Sequence, residues 1–200
     1  MPLKKEQMKK IKEEVLDLKQ SPLYAERVKN KVFPVIGEGS HDAKIMFVGE
    51  APGKNEAQTG KPFCGVSGKV LDELLDFIDL NRQDVYITNI VKDRPAANRD
   101  PSVEEIKIYG PFLDRQINII QPKVIATLGR YSAEYIMKKF DLGDQIETIG
   151  KMRGKIFETE ASYGKLKVIP LLHPAVALYN SFSRDDLKQD FKSLGCSTSK

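Results

Sequence analysis

Four short segments carry side chains suited to chemistry on a planar, amide-bearing ligand. Gly49-Glu50-Ala51-Pro52-Gly53 sets a carboxylate among glycines directly after an apolar run. Glycines there permit unusual backbone angles and close approach of a ligand to the main chain; a plain strand-to-loop turn has the same make-up. Phe63 stands in Gly60-Lys61-Pro62-Phe63-Cys64-Gly65, a loop in which an aromatic serves either the core or as a stacking platform. Asn89 lies at the end of the apolar stretch Tyr86-Ile87-Thr88-Asn89. Its amide offers both a donor and an acceptor, which suits a pyrimidine edge and equally suits a capped turn. His173, in Leu171-Leu172-His173-Pro174-Ala175, is one of two histidines. Its place after an apolar run and before proline favours a donor to developing negative charge. The other, His41, sits in a polar turn and reads as solvated. Gly65-Val66-Ser67-Gly68-Lys69-Val70 lacks the hydroxyl residue after lysine and the glycine spacing of a nucleoside-triphosphate loop, which is thereby rejected.

These segments need a scaffold that brings them together. Residues 1–20 carry Met8, Ile11, Val15 and Leu18 at helical spacing and predict an amphipathic helix ending near Ser21-Pro22. Apolar runs predict strands at Ala43 to Val48, Val85 to Ile90, Val124 to Leu128 and Val168 to Leu172, with a short one at Lys155 to Thr159. Helical patterns fill Ser67 to Ile78, Tyr131 to Lys139 and Asp185 to Leu194; another opens at the capping box Ser102-Val103-Glu104-Glu105. The stretch Asp141 to Gly164 is otherwise without a clear pattern. Strands alternating with helices predict an α/β fold, a parallel sheet with helices on both faces. In such sheets ligands bind beyond the carboxyl ends of the strands. Glu50, Asn89, Gly129 and His173 each follow or end a strand, so all four reach one rim.

Composition bounds the rest. The 200 residues suit one domain spanning 1–200, with 40% hydrophobic residues for a core. A net charge of +4 permits a polyanionic partner without requiring one. Cys64 and Cys196 are too few for a disulfide framework or a thiolate metal site and read as free thiols. No apolar run approaches a membrane span, and no secretory signal is read at the start, so a cytoplasmic, nucleoid-associated setting is expected.

Taken together, Gly49 to Gly53, Gly60-Lys61-Pro62-Phe63 with Gly65, Asn89, Asn98-Arg99-Asp100-Pro101 and His173-Pro174 resemble the uracil-DNA glycosylase superfamily, most closely its thermophile-type family 4. The resemblance runs from about Ser21 to Leu194. It implies a three-layer α/β/α domain with a central four-stranded parallel sheet, acting as a monomer on a nucleotide flipped from uracil-containing DNA. Phe63 would stack on uracil, and Asn89 would accept from N3–H and donate to O4. Glu56 would crowd C5, and Gly49, Ala51 and Gly53 would line the uracil pocket. His173 would donate to O2, while Glu50 would position water and offset the sugar cation. Lys61, Ser67, Arg99, Pro174, Ala175 and Leu178 would contact DNA.

One feature departs from that family. Its four-iron, four-sulfur cluster needs four cysteines, whereas the corresponding positions here are Leu18, Ser21, Asp93 and Tyr109. No cofactor and no metal are therefore expected, with packing holding the region instead. The Lys92 to Arg99 stretch also lacks the histidine by which another relative traps DNA covalently. Competing readings are a glycosylase for hypoxanthine or xanthine, a module that binds uracil or damaged DNA without cleaving it, and a free-nucleoside hydrolase.

Overall fold

The structure is a computed structural model that describes residues 3–179 and 182–197. In chain order the elements are α1 (Lys4–Leu16), α2 (Tyr24–Asn30), β1 (Glu38–Gly39), β2 (Ile45–Gly49), α3 (Lys54–Thr59), α4 (Val66–Phe77) and β3 (Tyr86–Asn89). They continue with α5 (Val103–Ile120), β4 (Val124–Leu128), α6 (Arg130–Lys139), α7 (Ile149–Met152), β5 (Phe157–Ala161), β6 (Gly164–Leu171) and α8 (Phe182–Ser197).

The sheet has six strands in the order β1-β3-β2-β4-β6-β5. The expected four parallel strands form its centre, β3-β2-β4-β6. Two antiparallel edge strands, β1 on β3 and β5 on β6, extend it beyond the expected four. The first is only two residues long and leaves no apolar run; the second overlaps the short strand expected at Lys155 to Thr159, shifted by two residues, and alternates half-buried and exposed positions.

Period-two alternation divides β2 between two cores. Met46 and Val48 face one side with Ile11 and Val15 of α1, Leu113 and Ile117 of α5, and Ile136 of α6. Ile45 and Phe47 face the other with Leu71 and Leu74 of α4 and Leu187 and Phe191 of α8. The sheet is thus covered on both faces, which explains the unbroken burial of β2 and β4. Ser102 caps α5 as its sequence predicts: its hydroxyl accepts from Glu105 N–H at 3.2 Å, and Glu105 accepts from Ser102 N–H at 2.8 Å.

The N-terminal helix stops at Leu16, earlier than Ser21-Pro22. Arg27 accounts for the difference. Its guanidinium donates to the carbonyls of Val15 and Leu16 at 3.0 and 2.5 Å, satisfying groups left open at the helix end. The same guanidinium pairs with Asp93 at 2.9 Å. Tyr109 donates to Asp93 at 2.6 Å, and its hydroxyl meets Ser21 Oγ at 2.7 Å. Packing was expected to hold this region; a buried polar knot holds it as well. Burial pushes the Asp93 carboxyl above its usual range, against the Tyr109 and Arg27 contacts. Removing one partner of a buried ion pair strands the other charge, so Arg27→Met is expected to cost about 3–5 kcal/mol. Thermal melting should fall by roughly 10 °C, and a shift within about a degree would show that the knot carries no stability.

Candidate active site

The connections after β2 and β4 leave in opposite directions along the sheet, and such a parting opens a crevice at the strand ends. A cleft of about 350 Å³ lies there. Glu50, Glu56, Phe63, Asn89 and His173 all line it, as do Ala51 and Gly53. Gly49 lies beneath it: a Cβ there would collide with Asn89 Oδ1 and stand 2.8 Å from the Phe63 ring. Only glycine lets the amide and the aromatic ring converge on the end of β2. Gly49→Ala is therefore expected to lower single-turnover activity by about a hundredfold, through misplacement of both side chains. A rate unchanged by that substitution would mean that the pocket tolerates their displacement.

Phe63 adopts φ +46°, strained for a residue with a side chain. Three neighbours hold it. Arg82 donates to the carbonyls of Pro62 and Phe63 at 2.7 and 3.2 Å. Glu56 Oε1 accepts from the N–H groups of Cys64 and Gly65 at 3.0 and 2.8 Å. Gly68 has no Cβ to strike the Phe63 carbonyl. The ring so fixed lies 5.6 Å from the His173 ring, tilted by 30°.

Asn89 is 2% exposed. Among the described residues nothing hydrogen-bonds its side-chain amide, which lines the cleft. Buried amides find partners, so the vacant donor and acceptor suit a ligand. His173 Nδ1 accepts from Ala175 N–H at 3.1 Å. An accepting Nδ1 places the proton of the neutral ring on Nε2. Burial draws the imidazole down to about 4, and Glu56 opposes this only in part. His173 is thus a neutral N–H donor at physiological pH. Its partner histidine His41 is half-buried rather than solvated, 5.9 Å from the Tyr86 ring.

Glu50 Oε1 accepts from Tyr131 N–H at 3.1 Å, at the start of α6. Burial raises its carboxyl above the usual glutamate range, although that N–H and Arg130 pull it down. One oxygen is pinned and the carboxylate faces a half-buried cleft. Gly129, at φ +104°, makes room for it.

The expected DNA-contacting residues are less uniform. Ser67, Ala175, Leu178 and Arg99 line the cleft, whereas Lys61 does not. Pro174 is buried at the start of the short turn Pro174–Leu178, and Leu178 projects 42% exposed beside the more exposed Tyr179. Both terminal nitrogens of Arg99 engage Glu105, at 2.9 and 2.5 Å, so its fork shapes the loop it lies in. Cys64 is an exposed free thiol; the Cys196 side chain lies outside the described residues.

A family model described as the uracil DNA glycosylase superfamily matches residues 36–194. The chain belongs to the uracil-DNA glycosylase superfamily. It is 46% identical over 188 residues to a type-4 uracil-DNA glycosylase of Sulfurisphaera tokodaii, covering 94% of this chain and 83% of the relative. A type-4 enzyme of Saccharolobus solfataricus is 51% identical over 162 residues, 80% of this chain and 74% of its own. A third, from Thermotoga maritima, is 40% identical over 180 residues, covering 90% and 88%.

Two contributors to this glycosylase-like site escaped the sequence. The Tyr131 N–H that pins Glu50 is a main-chain group with no signature beyond the glycine before α6. Lys92 is fully buried behind Asn89; the only hint was a lysine directly following the apolar pair Ile90-Val91. At the positions corresponding to cluster cysteines, the Asp93–Tyr109–Ser21 chain and Leu18 fill the interior and supply no thiolate. Those side chains do not fit an iron-sulfur cluster.

Proposed function

We propose that the chain hydrolyses the N-glycosidic bond of deoxyuridine in DNA, without an iron-sulfur cluster. The observation that carries this reading is the convergence of the unpartnered Asn89 amide, the Phe63 ring and the neutral His173 around Gly49. Phe63 stacks on the flipped base, and Asn89 accepts from N3–H and donates to O4. Cytosine presents the reverse pattern and leaves both groups unmatched. Glu56, held by the Phe63 loop, crowds C5.

The C1′–N1 bond breaks with its electron pair leaving on uracil, and His173 Nε2–H donates to O2 as that charge develops. Glu50 offsets the sugar cation and takes a proton from the water whose oxygen bonds to C1′. Leu178, with Pro174 and Ala175, enters the duplex where the base has left, and Lys61 and Ser67 meet phosphates. Arg99 serves DNA by shaping its loop. Among the described residues no helix is long and apolar enough to cross a membrane. The protein acts as a monomer at the nucleoid.

The test is a set of oligonucleotides with one uracil, hypoxanthine, xanthine or thymine, scored for alkali-labile abasic sites. Cleavage confined to uracil supports the reading; preference for a purine, or binding without cleavage, replaces it.

Glu50 must be ionised to act, so activity is present above its raised pKa and lost as pH falls through it. His173 stays neutral until about 4, so the first acid limb belongs to Glu50. Glu50→Gln is expected to lower the single-turnover rate by about a hundredfold and to remove that limb. Near-full activity in the variant would exclude the assignment.

A further inference from the structure

Lys92 is buried without a carboxylate partner among the described residues. Its Nζ contacts three oxygens: the carbonyl of Asn89 at 2.6 Å, Gln116 Oε1 at 2.6 Å and Thr88 Oγ1 at 2.9 Å. Each of these is an acceptor. Thr88 spends its own proton on the carbonyl of Ile36 at 2.7 Å, and Gln116 Nε2 donates to the same carbonyl at 2.8 Å. Three acceptors require three N–H bonds, which an ammonium has and a neutral amine lacks. Burial alone draws the group well below the usual lysine range, and the three short contacts oppose it. The Asn89 carbonyl so held belongs to the residue whose side chain lines the pocket.

We propose that Lys92 is a positioning residue of this pocket, an isolated buried ammonium that fixes Asn89 and favours negative charge on the departing base. The inference rests on the uracil reading above. A cation in a low-dielectric interior acts strongly on charge forming nearby. It does so through Asn89, without touching the substrate. Among the described residues no carboxylate pairs with Lys92 Nζ, whose three contacts are neutral oxygens, so its charge is not cancelled by a direct partner.

The test separates this role from a merely structural one by changing the leaving group. 5-Fluorouracil leaves more readily as an anion than uracil and needs less help. Lys92→Met is expected to slow the single-turnover release of uracil by about a hundredfold and that of 5-fluorouracil several-fold less. An equal loss on both bases would make Lys92 structural only and overturn the proposal. Should Lys92→Met fail to fold, Gln116→Glu keeps the lysine and sets a carboxylate against it. The same selective loss is then expected, and an equal loss again overturns the proposal. In the wild-type protein, nitrogen-15 NMR of labelled lysine should show a protonated Nζ for Lys92 at neutral pH; a neutral amine would refute the charge. A wild-type protein inert on both bases would remove the uracil reading itself, with the NMR result still deciding the state of Lys92.

Discussion

Asn89→Ala is expected to slow single-turnover uracil release by about a thousandfold, with little change in thermal stability. Both halves of that result come from the same geometry. The amide is buried yet has no hydrogen-bond partner among the described residues, so truncation leaves no protein group stranded. On the proposed uracil reading, the same amide meets N3–H and an O4 that is gaining charge in the transition state. Losing two such contacts, one of them charge-assisted, amounts to about 4 kcal/mol. Rapid-quench kinetics on a uracil oligonucleotide gives the first quantity and thermal melting the second. A large fall in melting temperature would mean that Asn89 is a structural amide. A rate within tenfold of wild type would mean that the base is read elsewhere.

The second large effect is at His173. On the proposed reading His173→Ala removes one N–H aimed at developing charge, and removal of such a donor costs about 10² to 10³ in rate. DNA affinity should change far less, because the contact strengthens only as the bond breaks. The neutral ring has a consequence for pH as well. A protonated imidazole would need Nδ1–H, which would eject the Ala175 N–H from its place at 3.1 Å. With the ring drawn down to about 4, no gain in rate from protonation of His173 is expected between about pH 8 and about pH 6. A rate that rises through that window as His173 acquires a proton would show that an imidazolium does the work.

The central strands were legible because burial on both faces writes itself into β2 and β4 as unbroken apolar runs. The strand ends and edges were less so. Gly164–Leu171 begins with Gly-Lys-Leu-Lys, so its apolar run shows only from Val168. Its edge partner Phe157–Ala161 carries two glutamates and lies two residues beyond the short strand expected at Lys155 to Thr159. The two-residue edge strand Glu38–Gly39 left no pattern. At the site, glycines after strands pointed to the rim, and the structure brings Glu50, Phe63, Asn89 and His173 to one cleft. What stayed hidden depends on contacts distant in sequence. Arg27 meets Asp93 across 66 positions, and Glu50 meets the Tyr131 N–H across 81. Glu56 read as a pocket wall, yet its hydrogen bonds reveal that it also ties down the strained Phe63 loop. No periodicity encodes that second task. The positions of the missing cysteines were readable, but the hydrogen-bonded knot that stands there was not, since its arginine lies outside the aligned positions.

The most direct measurement follows the base itself. Purified protein, assayed for iron, is mixed in excess with a duplex carrying one uracil, and free uracil and abasic DNA are quantified together. Iron-free protein that releases uracil in one-to-one amount with abasic sites is expected. Tight retention of intact uracil-containing DNA with no free base, or activity that tracks bound iron, would contradict it.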